Sequence, residues 1–269
     1  CYLAKNDAWD HLGRLIKVGR IRISLKPDLL DRGDFEQSLS VEDASILISN
    51  RTTTIKLWCD AHWPRLVVEV NSDEPCEVRV KLDKWRSKPR ELSDQEIHSA
   101  NGIQGSDVPL IAMPDKLVSK QRGAVAWYQR NESSIWPKVL DLQSLSGEES
   151  QTSDPLINRT FGAYIQGEGF KNKGRDGLSI RKTTAASFTI TLHSAQTASV
   201  GDWLEQIKNR AGSITSDAIA DAARDHQAWW STFWSRSHIQ IESRGEDGGH
   251  SNEISQHLAW HRFMVACSG

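Results

Sequence analysis

The feature that most constrains the fold is a long series of short segments in which apolar and polar residues alternate. RIRISL (20–25) places its three apolar residues on one side of an extended chain, and CEVRVKLDKW (76–85) repeats the pattern. A period of two residues is typical of a strand with one buried face. Similar segments lie at residues 44–50, 53–60, 65–72, 123–131, 159–170 and 186–195. This series predicts a mostly β protein, a large antiparallel β-sandwich over residues 1–198.

The pattern changes to a helical period after residue 198. Helical segments lie at residues 199–212 and 216–235, a short strand (HIQIES) is predicted at 238–243, and a third helix starts at about 253. We therefore expect helices only after the sandwich, with linker helices and a short strand over residues 199–250 and one further helix over 251–269.

Residues 86–122 form a long polar stretch that contains Pro89, Pro109 and Pro114. A connection of this length is unusual inside a compact domain. We predict a functional loop or a loop that covers a partner surface.

An aromatic cluster marks the second helical segment. HQAWWSTFWS (226–235) contains Trp229, Trp230, Phe233 and Trp234. Such a cluster suits either a sugar-stacking platform or a buried seam where a helix docks. The seam is favoured, because at helical spacing the rings continue the apolar stripe of the same helix and an open patch of this size would be costly. His226 lies within the stripe, so we expect a buried, hydrogen-bonded imidazole and not a catalytic base.

Composition and charge exclude several classes of function. The chain has 269 residues and a formal net charge of −2, which gives no reason to expect nucleic acid or an acidic membrane surface as a partner. No apolar run approaches the ~18 residues that a membrane-spanning helix needs. The four cysteines are scattered, so we expect buried free thiols, with a disulfide between Cys59 and Cys76 as the alternative.

Motifs for cofactors and metals are incomplete. The Gly-rich run GEGFKNKGRDG (167–177) lacks the ending of a phosphate-binding loop. His257 and His261 lie four residues apart, as in some zinc sites, but the sequence offers neither the Glu of H-E-x-x-H nor an evident third ligand. No G-x-S-x-G nucleophile elbow occurs. We therefore predict no cofactor and no metal.

Tryptophans beside polar groups are the remaining functional signal. The chain has 11 tryptophans, several of them next to charged or amide side chains, as in DAWD (7–10), DAHWPR (60–65) and NESSIWP (131–137). A sugar needs a stacking face together with directional donors and acceptors. The predicted sugar-binding residues are Asp7, Trp9, Arg130, Asn131, Trp136 and Arg159. The alternative is structural: Arg159 and Asp7 form an ion pair, and the tryptophans pack the core.

Four segments together resemble a known family. They are KNDAWDHLGRLIKVGRIRISLKP (5–27), AWYQRNESSIWP (126–137), DPLINRTFGAYIQGEGF (154–170) and HQAWWSTFWSRSHIQIE (226–242). They resemble an uncharacterised bacterial domain family at the N-terminus of secreted proteins of the glycoside hydrolase type. Those proteins are similar in layout to glycoside hydrolase family 95, the α-L-fucosidase group.

The resemblance implies a galactose-mutarotase-like sandwich, or supersandwich, followed by linker helices and an (α/α)6 toroid that carries the catalytic carboxylates. QHLAWHRFMVACSG (256–269) matches the first helix of that toroid, so residues 251–269 are expected to be its truncated start. No catalytic residue can then be assigned within this chain, which is expected to hydrolyse no glycoside alone. The resemblance also implies a secreted or periplasmic location.

Three functions follow as hypotheses. The first is an accessory domain that supports the missing C-terminal (α/α)6 domain of the same chain and forms one wall of its sugar pocket. The second is an autonomous carbohydrate-binding module with surface tryptophans. The third is a mutarotase-type epimerase, which would need a His and a Glu within one concave sheet.

Overall fold

A computed structural model gives the fold of this chain. It describes residues 1–28, 34–100, 103, 107–147, 152–212, 214–237, 239–241 and 248–268.

The strands and helices follow one another in an order that the sequence pattern largely anticipates. The strands are β1 (Tyr2–Leu3), β2 (Gly19–Lys26), β3 (Glu36–Ser40), β4 (Ser45–Ser49), β5 (Thr53–Cys59), β6 (Arg65–Leu82), β7 (Arg90–Glu91), β8 (Ile111–Ala112), β9 (Lys116–Leu117), β10 (Ala124–Arg130), β11 (Arg159–Gly167), β12 (Lys171–Asn172) and β13 (Gly177–Gln196). The helices are α1 (Trp136–Leu142), α2 (Val200–Ala211), α3 (Ser216–Arg236) and α4 (Gly248–Cys267), with a 3-10 helix at Asp94–Ser99.

Two long strands, β6 and β13, hold the sandwich together. They have 18 and 20 residues and pair with each other antiparallel from end to end. The first part of β6 pairs on its other side with β5, and the last part pairs with β2. The ladder between β6 and β13 is interrupted between Ile180 and Ala185, where register shifts occur. Such irregularities bend a strand, so the two halves of the pair belong to different parts of the sandwich.

The remaining strands are arranged around this pair. The main path of the sheet runs β3-β4-β5-β6-β13-β11-β10-β9, with β2, β1 and β12 attached at its sides. Every pairing is antiparallel. One buried cluster contains Val68 and Val70 from the first half of β6 and Val78 and Val80 from the second half. The predicted antiparallel β-sandwich followed by helices is confirmed.

Helix α2 covers the outer face of the sheet at β11 and β13. Its N-terminus has a capping box, in which the side chains of Ser199 and Asp202 each accept a hydrogen bond from the other's backbone N–H. Trp203 is fully buried, lies parallel to the ring of His193 at 6.5 Å and donates its indole N–H to the His193 carbonyl. His193 Nε2 bonds the Oε1 atom of Gln206 at 2.9 Å. The imidazole is therefore part of the interface between sheet and helix.

Three expectations about secondary structure were wrong. Helices are not confined to the region after residue 198, because the 3-10 helix and α1 lie before it. Residues 86–122 were predicted to be a loop, but they contain β7, β8 and β9. They also contribute to a second small core, which contains Leu92, Ile103 and Ala112 together with Leu12, Ile135 and Leu156. Of the predicted strand 238–243, residues 239–241 are irregular and the rest lies outside the described residues. Ile239 and Ile241 are exposed, so burial does not hold this segment in a sheet.

The cysteines only partly match expectation. All four are free, and Cys76 alone is buried, whereas Cys1, Cys59 and Cys267 are exposed.

Helix α4 starts at Gly248, ahead of the predicted position of about 253. No helix in the described part of the chain is long and apolar enough to cross a bilayer.

A glycine in the sheet gives a test of the close contact between β10 and β11. A Cβ atom at Gly162 would lie 2.0 Å from the Trp127 carbonyl oxygen. Because this neighbour is backbone in a paired strand, Gly162→Ala should lower the free energy of unfolding by about 3 kcal/mol. Gly201→Ala is the matched control, because Gly201 lies in the first turn of α2 and a Cβ there would meet only the Ser199 hydroxyl. Since alanine has a higher helix propensity than glycine, this variant should lose no stability. Urea denaturation of both variants checks this, and equal stabilities would contradict the packing.

Acid should weaken the contact between α2 and the sheet. Burial lowers the pKa of His193 below its ordinary value of 6.5. As pH falls below that value, the unfolded chain binds a proton before the folded chain does, so the free energy of unfolding falls between the two pKa values. His193→Gln should reduce the slope of stability against pH, by at most about 1.4 kcal/mol per pH unit. Denaturation curves from pH 7 to 5 measure the slope, and identical slopes would refute the assignment.

Candidate functional site

The aromatic cluster of α3 forms a packed seam. We use "aromatic seam" for Trp229, Trp230, Phe233 and Trp234. Trp230 lies in its middle with only 4 % of its surface exposed. It meets Trp229 edge-on with ring centres 4.9 Å apart, and Phe233 at 5.3 Å. Edge-to-face pairs of this kind are favourable for aromatic quadrupoles. The other three seam residues are half-buried.

The sandwich and the last helix both cover the seam. On the sandwich side, the Trp234 indole N–H donates to the carbonyls of Val41 and Glu42, in the turn between β3 and β4. On the helix side, Phe263 of α4 lies 5.4 Å from the ring of Trp230. Arg262 lies over the rings of Phe233 and Trp234 at 4.8 and 5.2 Å. The prediction of a buried docking seam is confirmed.

His226 is a structural residue, as predicted. It is 3 % exposed, and its ring centre lies 4.8 Å from that of Trp58 in β5. Its Nε2 atom is 2.7 Å from the carbonyl oxygen of Asp43. Because a carbonyl can only accept, Nε2 carries the proton. Two turns before, Ile219 packs with Trp58 and Val67, which fixes the start of α3 on the sheet.

Helix α4 is apolar on two sides. Its inner side contacts α3 through Arg262 and Phe263. Its outer side carries apolar side chains at helical spacing: Ile254, Trp260, Met264 and Val265 are 48, 45, 60 and 57 % exposed. His257 and His261 are exposed on the same helix, and the described residues contain no cluster of three metal-ligating side chains. Polar side chains lie among these apolar ones, since Glu253, His257 and His261 fall between them at 100° per residue.

Four of the six predicted sugar-binding residues lie together. Asn131 Nδ2 donates to the carbonyls of Trp9 and Leu156 at 3.1 and 3.0 Å. Arg159 Nη1 approaches the carbonyl of Asp7 at 3.5 Å and the hydroxyl of Ser194 at 3.3 Å. The N-terminal segment is thereby attached to the ends of β10 and β11. The donors of Asn131 and Arg159 contact the protein itself in this arrangement.

The structural alternative for these residues is partly wrong. The Asp7 carboxylate pairs with Lys5 at 2.7 Å, and Arg159 reaches only the Asp7 backbone. The predicted ion pair between Asp7 and Arg159 is therefore absent. Trp9 is 38 % exposed and so does not belong to the core.

The other two candidates lie close by with different roles. Arg130 donates to the carbonyls of Asn158, Thr197 and Ala198, which ties the start of β11 to the end of β13. Trp136 begins α1, and its indole Nε1 is buried without a hydrogen-bond partner among the described residues. Sugar binding by the six residues stays a prediction.

The buried carboxylates belong to ion pairs. By whole-residue exposure Asp10 and Asp115 are the buried acids among the described residues. The Asp60 side chain is equally buried, at 2 %, and pairs with Arg65 at 2.6 Å. Asp10 pairs with Arg14 at 2.6 Å, and Asp115 pairs with Arg86 at 2.9 Å. Burial raises the pKa of Asp115, while Arg86 opposes the rise. Each carboxylate has a structural partner, and glycoside hydrolysis needs two carboxyl groups that flank one bond. The geometry assigns none of them a catalytic role.

Comparison with known proteins gives a family. A family model described as "Domain of unknown function (DUF5703)", in its N-terminal part, matches residues 1–239. The chain belongs to this family. No curated protein matches the chain.

The DUF5703 domain also shares its fold with solved structures. One is described as "Putative kojibiose phosphorylase from human microbiome", with a TM-score of 0.56 and 12 % identity. The match covers 99 % of this chain and 31 % of that chain. At this identity the likeness concerns the fold alone. It supports the expected sandwich-and-helix arrangement and does not single out glycoside hydrolase family 95.

Sequence reasoning missed the outer side of α4 as a surface. The sequence carries no clear signal for it, because apolar and polar positions alternate irregularly around the helix over residues 254–265. The inner and outer sides of such a helix can be told apart only when its neighbour is known.

The seam predicts a large effect of one truncation in the DUF5703 domain. Trp230→Ala should lower the free energy of unfolding by about 3–5 kcal/mol, because it opens a cavity between the sheet and two helices. Trp85→Ala is the control, since that tryptophan is 40 % exposed. Thermal denaturation measures both. If Trp230→Ala keeps its melting temperature and loses affinity for an oligosaccharide instead, the seam is a sugar platform.

Proposed function

We propose that this DUF5703 domain is the N-terminal accessory domain of a carbohydrate-active enzyme, and that it supports a catalytic domain through α4. The observation that carries the proposal is the outer side of α4. Four large apolar side chains lie there, each at least 45 % exposed. Large exposed apolar side chains grouped on one helix are a mark of an interaction surface, and the exposed His257 and His261 lie among them.

The occupant of this surface is the polypeptide that follows α4. The chain spans only 31 % of the length of the structure that it resembles. Continuity supports the same choice, because α4 already contacts the aromatic seam on its inner side. Residues 251–269 then form the first helix of an (α/α)6 domain, and α3 and α4 transmit its position to the sandwich.

The carbohydrate class rests on the fold shared with the phosphorylase. Within that class, a layout like that of glycoside hydrolase family 95 and a secreted or periplasmic location remain parts of the proposal. The cluster of Asp7, Trp9, Asn131 and Arg159 would form one wall of the sugar pocket. The catalytic carboxylates would lie in the following domain, so this chain alone would turn over no glycoside.

The geometry does not favour an epimerase. A mutarotase-type reaction needs a His and a Glu that face an open concave sheet. His193, the buried histidine of the sheet, lies under α2 and bonds Gln206. An autonomous carbohydrate-binding module is a second candidate, for which a separate surface at Trp63 argues.

A charge on the outer side of α4 should block docking without unfolding the domain. Met264 is 60 % exposed, so Met264→Glu should change the stability of the chain by no more than about 0.5 kcal/mol. The segment encoded after residue 269 of the parent gene, produced separately, should bind the unmodified chain in calorimetry and bind the variant at least about tenfold more weakly.

Leu142→Glu is the matched control, because Leu142 is 48 % exposed on α1. It should bind like the unmodified chain. Equal affinities of the Met264 variant and the unmodified chain would contradict the proposal, as would a parent gene that encodes no further domain.

A further inference from the structure

A rigid, exposed tryptophan lies outside the surfaces described so far. Trp63 is 52 % exposed and belongs to the turn between β5 and β6. Asp60 holds this turn: its Oδ1 atom accepts the N–H groups of His62 and Trp63 at 2.9 and 3.3 Å. Its Oδ2 atom accepts from Arg65 at 2.6 Å. The Pro64 carbonyl accepts the N–H of Leu192 in β13. The backbone that carries the indole is thus held in place.

Three clefts meet at this indole: an apolar one of about 560 Å3, which is also lined by Trp229, Trp230 and Phe263, and two with polar linings. One of the polar clefts, of about 740 Å3, lies between the turn and α3 and is lined on the helix by Asp221, Asp225, Trp229 and Thr232. The other, of about 620 Å3, lies between the turn and α2 and is lined there by Gln206, Asn209 and Arg210. Both volumes fall within the range of ligand sites. Trp63 and Arg65 line both clefts, so they form the ridge between them.

The ridge also contains an unsatisfied donor. The side chain of Arg65 is only 13 % exposed. One of its nitrogens donates to Asp60, but its buried Nε–H has no hydrogen-bond partner among the described residues. The Arg65 guanidinium therefore holds the turn through Asp60, and its buried Nε–H lies out of reach of a ligand.

The chemistry of the two clefts selects a ligand class. Indole rings offer broad apolar faces for the C–H face of a pyranose. Carboxylates accept hydrogen bonds from sugar hydroxyls, and amide and guanidinium groups donate to them. Asp221 and Asp225 make the α3 side negative, which disfavours an anionic ligand there. Two clefts on either side of one ring suit a chain of sugars and not a single one.

We propose that Trp63 is the stacking platform of a binding site for a neutral oligosaccharide, which crosses the ridge from the α3 cleft to the α2 cleft. The site would keep the domain close to its polysaccharide, whichever domain performs catalysis. It uses a surface other than the outer side of α4. Its success or failure is therefore independent of the docking proposal.

The test is calorimetry on the 269-residue chain with maltohexaose, cellohexaose, xylohexaose and mannohexaose, each titrated separately. At least one should bind, and Trp63→Ala should weaken it on the order of tenfold or more, as expected when a stacking ring is lost. Trp63→Tyr should keep most of the affinity. Asp225→Asn, which changes a hydrogen-bonding group of the α3 cleft, should also weaken binding.

Trp85→Ala is the matched control, since Trp85 is also a partly exposed tryptophan but does not line either cleft. It should bind as the unmodified chain does. Melting temperatures of all variants establish that they are folded. The proposal is overturned if none of the four sugars binds, or if Trp63→Ala binds like the unmodified chain.

Discussion

The pairing of β6 with β13 is the constraint on which the rest of the structure depends. Each strand is long enough to take part in both halves of the sandwich, and the register shifts near Thr183 let the pair bend between them. Neighbouring strands attach along its two sides. Because the side chains of a strand alternate between faces, Val68 enters the sandwich core while Val67 points to the opposite face, where Ile219 of α3 covers it. One strand pair thus defines both the core and the surface on which the helices dock.

The helices α2 and α3 pack on the sheet, and α4 packs on α3. α2 is fixed by Trp203. α3 is fixed by His226, which contacts Trp58 of the sheet and the turn before β4, and by Trp234, which bonds the same turn. α4 is then positioned by contacts with α3 through Phe263 and Arg262. Burial therefore decreases stepwise from sheet to α3 to α4, and the last helix keeps an apolar outer side. That gradient is the physical reason for regarding the domain as a support for a neighbour, while the turn at Trp63 presents a separate, polar-rimmed surface.

The sequence was sufficient for the features that periodicity controls. Alternation identified most of the long strands, but it divided β6 into two segments, 65–72 and 76–85, and missed β3. The stripe through His226 and Trp230 identified the buried side of α3. Features set by contacts distant in sequence were not accessible. The small core that joins Leu12, Ile103 and Leu156 turns a polar stretch into folded structure, and no local pattern shows that pairing. Asp7 and Arg159 are neighbours, as the hypothesis of an ion pair between them requires. Arg159 nevertheless contacts the Asp7 backbone carbonyl, because Lys5 pairs with the Asp7 carboxylate.

The central claim is that α4 is an interface helix whose outer side is covered in the parent protein. Hydroxyl-radical footprinting tests it most directly, because Met and Trp side chains oxidise readily when water reaches them. In the 269-residue chain, Trp260 and Met264 should be oxidised rapidly. In the longer parent protein both should be protected, while Trp85 reacts at the same rate in each. Equal oxidation of Trp260 and Met264 in the two proteins would contradict the account.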